Sequence, residues 1–390
     1  MSLTNSGAKW FFNNQTNPKL FPAKVPSTFH MDLLDNKLCD DPYYRDNLLE
    51  FYKYESENWT YTRSFFVDGE FDTRKQVEMV FEGLDTHARI EINGIYLGDT
   101  NNAHRTWVFP VDKQFVNVGE TNSIKITFSS AVLHDLAAEK AFNETYNMTL
   151  PFNYSFSRKP AYHYGWDWGP RLVTAGIWKD IKIRAYNYVQ FPSVHFRNDK
   201  VTVDTPKKSI RIFGSADLRV VRGPENGYEY RLIVMDNKTQ QIYYNENFIA
   251  NFTPINAHEA TGRRRLSDDF SSLGVSVSDN SVPFAFTIQK PSVWWTWNLG
   301  QQPLYTFRVI IAQVYIYSTA FDYDIMDELT VRYGVRTINW IQQPDLNGLG
   351  SSFYLELNGI PVFMRGSNYI PPDMFMPRAL KNPEVYNNTI

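Results

Sequence analysis

Apolar and polar residues alternate along most of the chain, a pattern typical of half-buried β-strands. In QVEMVF and RIEING every second residue is apolar, and the second segment ends in Asn93-Gly94, which predicts a two-residue hairpin turn. SFYLELNGIPVFMRG predicts a second hairpin at Asn358-Gly359. Further strands are predicted in SIKITFSS, KDIKIRAYN, KSIRIFG, YEYRLIVMD, QQIYYNENF and LYTFRVIIAQVYIY.

Helical patterns are few. LHDLAAEKAFNE (Leu133–Glu144) predicts the best helix, and RDNLLEFYKY predicts one or two further turns. Many short strands separated by turn signals favour β-sandwiches. We place one domain boundary near Asn187, where RAYNYVQFPSV leaves the first set of strands. A second boundary falls near Gln343, at the Pro-, Gly- and Asn-containing segment QQPDLNGLGSS.

Length and composition narrow the classes of protein. A chain of 390 residues predicts two or three domains, and 16% aromatic residues fit sheet packing or sugar stacking. A net charge of −3 gives no reason to expect nucleic acid or an acidic membrane as partner. The basic run Arg263-Arg264-Arg265 is read as a solvated loop because Asp268 and Asp269 follow it. With Cys39 as the single cysteine, an intrachain disulfide and a thiolate metal cage are excluded.

Asn-x-Ser/Thr sequons, the acceptors of N-glycosylation, are about twice as frequent as the composition would give by chance. They favour a lysosomal or secreted protein, although the segment that starts the chain is not apolar enough for a signal peptide and no later segment reaches transmembrane length. The acceptor residues are Asn14, Asn58, Asn143, Asn147, Asn153, Asn237, Asn251 and Asn387.

The best candidate for chemistry is GWDWGP, in which Asp167 lies between Trp166 and Trp168. The sequence contains no phosphate-binding loop, no G-x-S-x-G motif and no metal-ligand spacing among its seven histidines. Tryptophan faces stack on sugar rings, and a carboxylate accepts hydrogen bonds from neighbouring hydroxyls. Alternatively, the tryptophans fill a core and Asp167 caps a turn. Both readings stay open on these residues alone.

The motif GWDWGP-x5-GIWKDI resembles the β-mannosidases, retaining enzymes of glycoside hydrolase family 2. The resemblance extends over the whole chain, through VPSTFHMDLL, DPYYRDN, ENWTYTRSF, FEGLDTHARIEINGIYLGDTNN, VWWTWNLGQQPLYTF, VRYGVRTINWI and SFYLELNGIPVFMRGSNYIPPDMF. It implies a mainly β chain with three parts. These are a jelly-roll sugar-binding domain over residues 1–187, an immunoglobulin-like sandwich over 188–343, and the first β/α unit of a (β/α)8 barrel over 344–390.

The resemblance implies an enzyme that removes terminal β-mannose from the non-reducing end of oligosaccharides, without metal or organic cofactor. Two barrel glutamates carry this chemistry, and both are expected beyond Ile390, because residues 344–390 are far fewer than the about 250 of a barrel. The chain by itself is therefore expected to be inactive. Neither Asn143-Glu144 nor Asn245-Glu246 is expected to be catalytic.

The resemblance also implies which residues bind the β-mannoside. Trp166 and Asp167 would contact the terminal mannose, and Arg158 would orient Asp167 or bind a hydroxyl. Asn368 and Tyr369 match a segment at the end of the first barrel strand, although the family has tryptophan where this chain has Tyr369. The remaining candidate tryptophans, Trp10, Trp59 and Trp178, are assigned to the core.

Two alternatives remain open. The first is another sugar for the same architecture, as in β-glucuronidases or β-galactosidases. The second is a short, non-catalytic carbohydrate-binding product. The sequence does not indicate an oligomeric state.

Overall fold

A computed structural model describes most of the chain and divides it into two compact units. Residues 1–4, 9–111, 114–146, 156–187, 189–221, 229–249, 277–314, 323–346, 348–382 and 384–387 are described. The first unit comprises Met1–Ala185 and Tyr369–Ile390, and the second comprises Tyr186–Asn368. Residues 344–390 therefore contribute to both units. The division into three domains at Asn187 and Gln343 stays a prediction.

The first unit is built from eleven described strands in antiparallel sheets, which confirms the mainly β fold. Its largest sheet has the order β2-β1-β3-β9-β6-β7, and smaller sheets have the orders β11-β4-β8 and β10-β5. The strands are β1 (Trp10–Asn14), β2 (Phe21–Ala23), β3 (Trp59–Phe66), β4 (Gln76–Phe81), β5 (Leu84–Asp85), β6 (His87–Ile92), β7 (Ile95–Asn101), β8 (Trp107–Val111), β9 (Thr121–Phe128), β10 (Gly176–Ile177) and β11 (Ile181–Tyr186).

In this unit the alternation of apolar and polar residues corresponds to alternate burial of the side chains, as predicted. In β9 every second side chain is buried, including Ile124, Ile126 and Phe128. The predicted hairpin between β6 and β7 is present, with φ of 51° at Asn93 and 80° at Gly94. Both residue types tolerate positive φ, which is why this pair forms a two-residue turn.

Three α-helices connect the strands in the described part of the first 185 residues: α1 (Phe29–Asp35), α2 (Leu48–Phe51) and α3 (Ala131–Tyr146). Helix α3 confirms and extends the predicted Leu133–Glu144, and α2 with the 3₁₀ turn Tyr52–Tyr54 confirms the second prediction. Helix α1 was not predicted. Two of its buried residues, His30 and Asp32, are polar and interrupt the apolar stripe by which a helix is recognised.

The segment from Tyr369 onwards packs on the first unit. Phe375 is fully buried, and its ring centroid lies 5.4 Å from that of His30 in α1. Tyr43 donates a hydrogen bond to Asp373 (3.1 Å), and Lys381 donates to the Pro26 carbonyl (2.8 Å). Two short helices, Met376–Lys381 and Glu384–Asn387, complete the segment.

The first barrel strand implied by the resemblance is not formed. Residues 363–375, all described, contain neither strand nor helix. A parallel barrel strand is held by hydrogen bonds from neighbours on both sides, and no described strand pairs with this segment. The hairpin that precedes it is present, with φ of 52° at Asn358 and 84° at Gly359.

The second unit consists of a three-stranded sheet β12-β13-β16, a four-stranded sheet β15-β14-β17-β18 and a small sheet β19-β20-β21. Side chains of the first two sheets share one core that includes Phe284, Phe286 and Phe307. The strands are β12 (Val189–Asn198), β13 (Ser209–Val221), β14 (Glu229–Asp236), β15 (Ile242–Ile249), β16 (Val277–Gln289), β17 (Tyr305–Val314), β18 (Tyr323–Tyr333), β19 (Ile338–Ile341), β20 (Tyr354–Leu357) and β21 (Ile360–Val362).

Strand β16 was not predicted, because Pro283 lies near its middle. Proline cannot donate to a sheet ladder, and it is tolerated on edge strands. In the described sheet β16 pairs with β13 alone, which makes it an edge strand. None of the described helices is both long and apolar enough to cross a bilayer.

Candidate functional site

The WDW segment forms a tight turn on the first unit. The Trp166 amide donates to the Gly169 carbonyl (3.1 Å), and the Gly169 amide donates back to the Trp166 carbonyl (3.3 Å). Asp167 and Trp168 therefore lie at the tip of a two-residue turn. Gly165 precedes it with φ of 96° and ψ of 145°, a conformation that is essentially restricted to glycine.

The side chains of this turn face solvent. Trp166 is 50% exposed and Trp168 is 36% exposed, and Asp167 is exposed between them. Core packing is therefore wrong for these two tryptophans. No described residue donates a hydrogen bond to the Asp167 carboxylate or forms an ion pair with it. Two partly exposed indoles and an exposed carboxylate are thus presented on one turn.

The other three tryptophans assigned to the core behave differently from the turn pair. Trp10 and Trp59 are buried, at 3% and 2% exposure, as predicted. Trp178 is half-buried, and its indole nitrogen donates to the Ala103 carbonyl (3.1 Å).

An ion pair anchors the base of the turn. Arg171 donates from Nε and Nη2 to the same oxygen of Glu55, at 2.9 and 2.7 Å, and the Glu55 side chain is 6% exposed. The Arg171 guanidinium also lies 5.6 Å from the centre of the Tyr164 ring. Sequence reasoning missed this pair, because 116 residues separate its members. Burial raises the pKa of Glu55, against the opposing effect of Arg171.

A buried polar network lies on the chain segments that flank the turn. The Lys159 ammonium is 3.0 Å from Asp85 Oδ1, and its side chain is fully buried. Thr174 donates to Asp85 Oδ2 (2.6 Å) and lies 2.9 Å from Nδ1 of His163. Because the segments before and after the turn both contribute to this network, it fixes the two ends of the turn.

The charges in this network shift the ionisation of its members. Burial is the largest influence and would raise the pKa of Asp85. The Lys159 ammonium, together with His163 and the Thr174 and Thr86 hydroxyls, outweighs it, so the pKa lies below its usual value. Burial, with help from Lys159, lowers the pKa of His163 to about 3. At neutral pH the network therefore holds an ionised Asp85 and a neutral His163.

The structure brings together some of the predicted sugar-binding residues. Trp166 and Asp167 are adjacent in the turn, and the exposed Arg158 belongs to the same unit. The Arg158 carbonyl accepts from the Ala103 amide (2.9 Å), but no hydrogen bond or ion pair joins the described side chains of Arg158 and Asp167. The predicted orienting role of Arg158 therefore has no support.

The two remaining candidate sugar-binding residues, Asn368 and Tyr369, lie on either side of the boundary between the units in the sequence. Tyr369 is 51% exposed and is the first residue of the C-terminal segment of the first unit. Asn368 is exposed and ends the second unit. Met374, another residue of the C-terminal segment, lies next to the turn and was not predicted from the sequence. A Cβ atom added to Gly169 would be 3.2 Å from the Met374 Sδ.

The described sequons differ in exposure. Asn237 and Asn387 are exposed, whereas Asn14, Asn58 and Asn143 are half-buried. Asn147, Asn153 and Asn251 lie outside the described residues, as do Arg263, Arg264 and Arg265. The two Asn-Glu pairs lie on α3 (Asn143-Glu144) and on β15 (Asn245-Glu246).

Comparison with known proteins identifies similar chains. Residues 10–179 match the family described as glycosyl hydrolase 2 galactose-binding domain-like. The chain is 27% identical over 385 residues to β-mannosidase of Bos taurus and 29% identical over 361 residues to β-mannosidase B of Aspergillus clavatus. These matches cover 95% and 90% of this chain, but only 39% and 37% of the relatives.

Solved structures give the same result. A β-D-mannosidase from Dictyoglomus thermophilum superposes with a TM-score of 0.76 and 26% identity, covering 99% of this chain and 42% of that one. An exo-chitosanase from Amycolatopsis orientalis shares the fold, with a TM-score of 0.64 and 17% identity. The resemblance drawn from the sequence is confirmed, and the chain spans about two fifths of the length of these relatives.

Proposed function

We propose, from the resemblance of this chain to the N-terminal portion of the β-mannosidases of glycoside hydrolase family 2, that its first unit supplies a mannose-contacting turn. The observation that carries the proposal is the exposure of Trp166 and Trp168 on either side of Asp167, a carboxylate with which no described residue pairs. The reaction served would be retaining removal of terminal β-mannose from oligosaccharides.

The chemistry of the turn suits a sugar. An indole face covers the C–H face of a pyranose ring, and an ionised carboxylate accepts from two neighbouring hydroxyls in charge-assisted hydrogen bonds. The Glu55–Arg171 pair and the Asp85–Lys159 network hold the turn in place, so little ordering entropy is lost on binding. Tyr369, which belongs to the same unit, is proposed to offer a further aromatic face to the sugar, and Asn368 stays a predicted sugar-binding residue.

Catalysis itself is assigned to residues outside this chain. Retaining hydrolysis requires two carboxyl groups about 5–5.5 Å apart, one as nucleophile and one as acid/base. We expect the purified 390-residue chain to show no turnover of an aryl β-mannoside. Turnover that co-purifies with the chain and disappears in Asp167→Asn would overturn the assignment of catalysis to residues outside this chain.

Sugar binding can be tested on the chain directly. Saturation-transfer NMR with methyl β-mannoside, methyl β-galactoside and methyl β-glucuronide would detect contacts at millimolar affinity and would separate the three possible sugars. We expect transfer to the mannoside in the wild type, and a loss of about tenfold or more in affinity in Asp167→Asn, because a hydrogen bond to a charged group contributes about 1.5–3 kcal/mol.

Matched controls come from the same chain. Asp46 is exposed and Trp297 is 79% exposed, so Asp46→Asn and Trp297→Phe remove the same residue types elsewhere. Mannoside binding that is equal in wild type, Asp167→Asn and Trp166→Phe would contradict the proposal. A preference for the galactoside or glucuronide would favour the alternative sugar.

A lysosomal or secreted location is proposed for the same protein. The exposed Asn237 lies in a surface turn, where it is open to a glycosyltransferase. Expression through the secretory pathway, followed by enzymatic glycan removal, should shift the mass of the wild type more than that of Asn237→Gln. An identical mass before and after treatment would count against this location.

A further inference from the structure

Two histidines and an aspartate meet in the first unit, away from the residues assigned to sugar binding. His87 begins β6, and His134 and Asp135 lie near the start of α3. One potential ligand atom from each residue lies within 4.8 Å of the other two. His87 is distant in sequence from the adjacent His134 and Asp135, so the spacing of residues along the chain does not reveal the group.

The geometry of the group is compact. The two imidazole rings are stacked, with centroids 3.8 Å apart and planes at 26°. His134 Nδ1 lies 3.2 Å from Asp135 Oδ1. Ligand atoms bound to zinc at about 2.0–2.2 Å in a tetrahedron are about 3.3–3.6 Å apart, so this separation is close to that of two ligands on one ion.

Polar neighbours hold the aspartate in position. Asp135 is fully buried. Ser157 donates to Asp135 Oδ1 (2.5 Å) and lies 2.9 Å from Nε2 of His87, while Tyr164 donates to the other carboxylate oxygen. Metal-binding carboxylates are oriented in this way by outer hydrogen bonds, which fix the donor atom before the ion arrives.

Access to the group is also suitable. The His134 side chain is 42% exposed, which opens the group to solvent. Two imidazoles and a carboxylate form a donor set that suits Zn²⁺ better than Ca²⁺ or Mg²⁺.

We propose that His87, His134 and Asp135 bind a divalent transition-metal ion of the zinc type. The ion would tie the start of β6 to the start of α3. Since Asp135 also accepts from Tyr164, which lies two residues before Trp166, the ion would further fix the base of the exposed turn. The proposal does not depend on the sugar-binding function.

The test uses the 390-residue chain without a histidine tag, stripped of metal and kept at pH 7.5. Titration with Co²⁺ followed by visible absorption, and with Zn²⁺ by calorimetry, should each show one equivalent bound with tetrahedral cobalt bands. His134→Ala should weaken binding by at least tenfold and abolish the bands. Zn²⁺ should also raise the Tm of the wild type but not that of His134→Ala.

A matched control is present in the second unit. His195 is 71% exposed and lies 3.6 Å from Asp217, so it reproduces a histidine–aspartate pair without a second histidine. His195→Ala should bind Co²⁺ and Zn²⁺ as the wild type does. His134→Cys, which keeps a zinc ligand at the same position, should restore Zn²⁺ binding if His134→Ala has lost it.

Two results would overturn the proposal. One is the absence of saturable Co²⁺ or Zn²⁺ binding by the wild type, in which case the group is a hydrogen-bonded network only. The other is binding that stays unchanged in both His134→Ala and His87→Gln while far-ultraviolet circular dichroism shows both variants to be folded.

Discussion

Two aspartates of the first unit show opposite relations to the rest of the chain. Asp85 is buried, and its carboxylate pairs with the Lys159 ammonium and accepts hydrogen bonds from Thr174 and Thr86. Asp167 is exposed at the tip of the tight turn, and no described residue donates to it. Internal donors satisfy the first carboxylate, whereas none of the described residues does so for the second. The number of hydrogen-bond donors that surround a carboxylate thus distinguishes a structural aspartate from a candidate ligand-binding aspartate.

Removing the cation beside Asp85 should have the largest effect on stability. Lys159→Met leaves a buried carboxylate without its partner, which costs about 3–5 kcal/mol. Urea denaturation followed by circular dichroism measures this loss. Lys140→Met is the control, because Lys140 and Glu144 form an exposed pair at 4.0 Å, with side chains 80% and 68% exposed. A loss below about 1 kcal/mol in Lys159→Met would show that Asp85 is satisfied without Lys159.

A third aspartate, Asp32, extends the comparison to pH. It is fully buried and accepts from the Lys24 amide (2.9 Å) and from Tyr61 (2.8 Å), but no cation of the described chain forms an ion pair with it. Burial raises its pKa to about 7, so the folded state binds the proton more tightly than the unfolded state, whose aspartates titrate near 3.9. Its stabilising contribution is therefore complete below about pH 4 and is lost as pH rises through 7.

The measurement compares unfolding free energies at pH 5 and pH 8. Relative to Asp32→Asn, the wild type should lose roughly 2–3 kcal/mol over this interval, because the asparagine does not titrate. A difference between the two proteins that does not change with pH would mean that Asp32 keeps one protonation state throughout.

Gly165→Ala addresses the backbone of the turn that carries Asp167. The φ of 96° is strained for any residue with a Cβ, so we expect a cost of about 1–3 kcal/mol and a weaker affinity for methyl β-mannoside. Gly69→Ala is the control, because no atom lies within 4 Å of a Cβ built there and no positive φ is found. Equal stability of the two variants would indicate that the turn readily adopts another conformation.

Asp167→Ala should have the smallest effect on stability, within about 0.5 kcal/mol, because an exposed side chain without partners leaves little behind. Its unfolding midpoint in urea should match that of the wild type. A destabilisation above about 1 kcal/mol would mean that Asp167 stabilises the fold, and the contrast with Asp85 would then be lost.

Local patterns predicted much of the fold. The alternation in SIKITFSS identified β9, and the Asn-Gly pairs identified both hairpins, because turn geometry depends on the two residues that form it. Helix α1 depends instead on distant contacts: Phe29 stacks on Trp59 with centroids 4.4 Å apart, and His30 packs near Phe375. The seven residues of such a helix do not by themselves contain a pattern that predicts it.

The candidate site, like the fold, could be predicted from the sequence only in part. Trp166 and Asp167 could be selected from the sequence, because their residue types in this spacing have a clear chemical meaning. The residues that hold the turn in place could not, since Glu55 and Arg171 look like ordinary surface charges until the fold brings them together. The resemblance supplied the sugar that is proposed, and residues 363–375 do not form the barrel strand that it implied.

The discontinuous first unit has a consequence for synthesis on the ribosome. Phe375 and its neighbours complete a unit that begins at Met1, and the whole second unit, Tyr186–Asn368, is translated in between. At about 5–20 residues per second this interval lasts roughly ten to forty seconds. During that time the surface of the nascent chain around His30 that Phe375 later covers is open, which makes it a natural place for a chaperone to act.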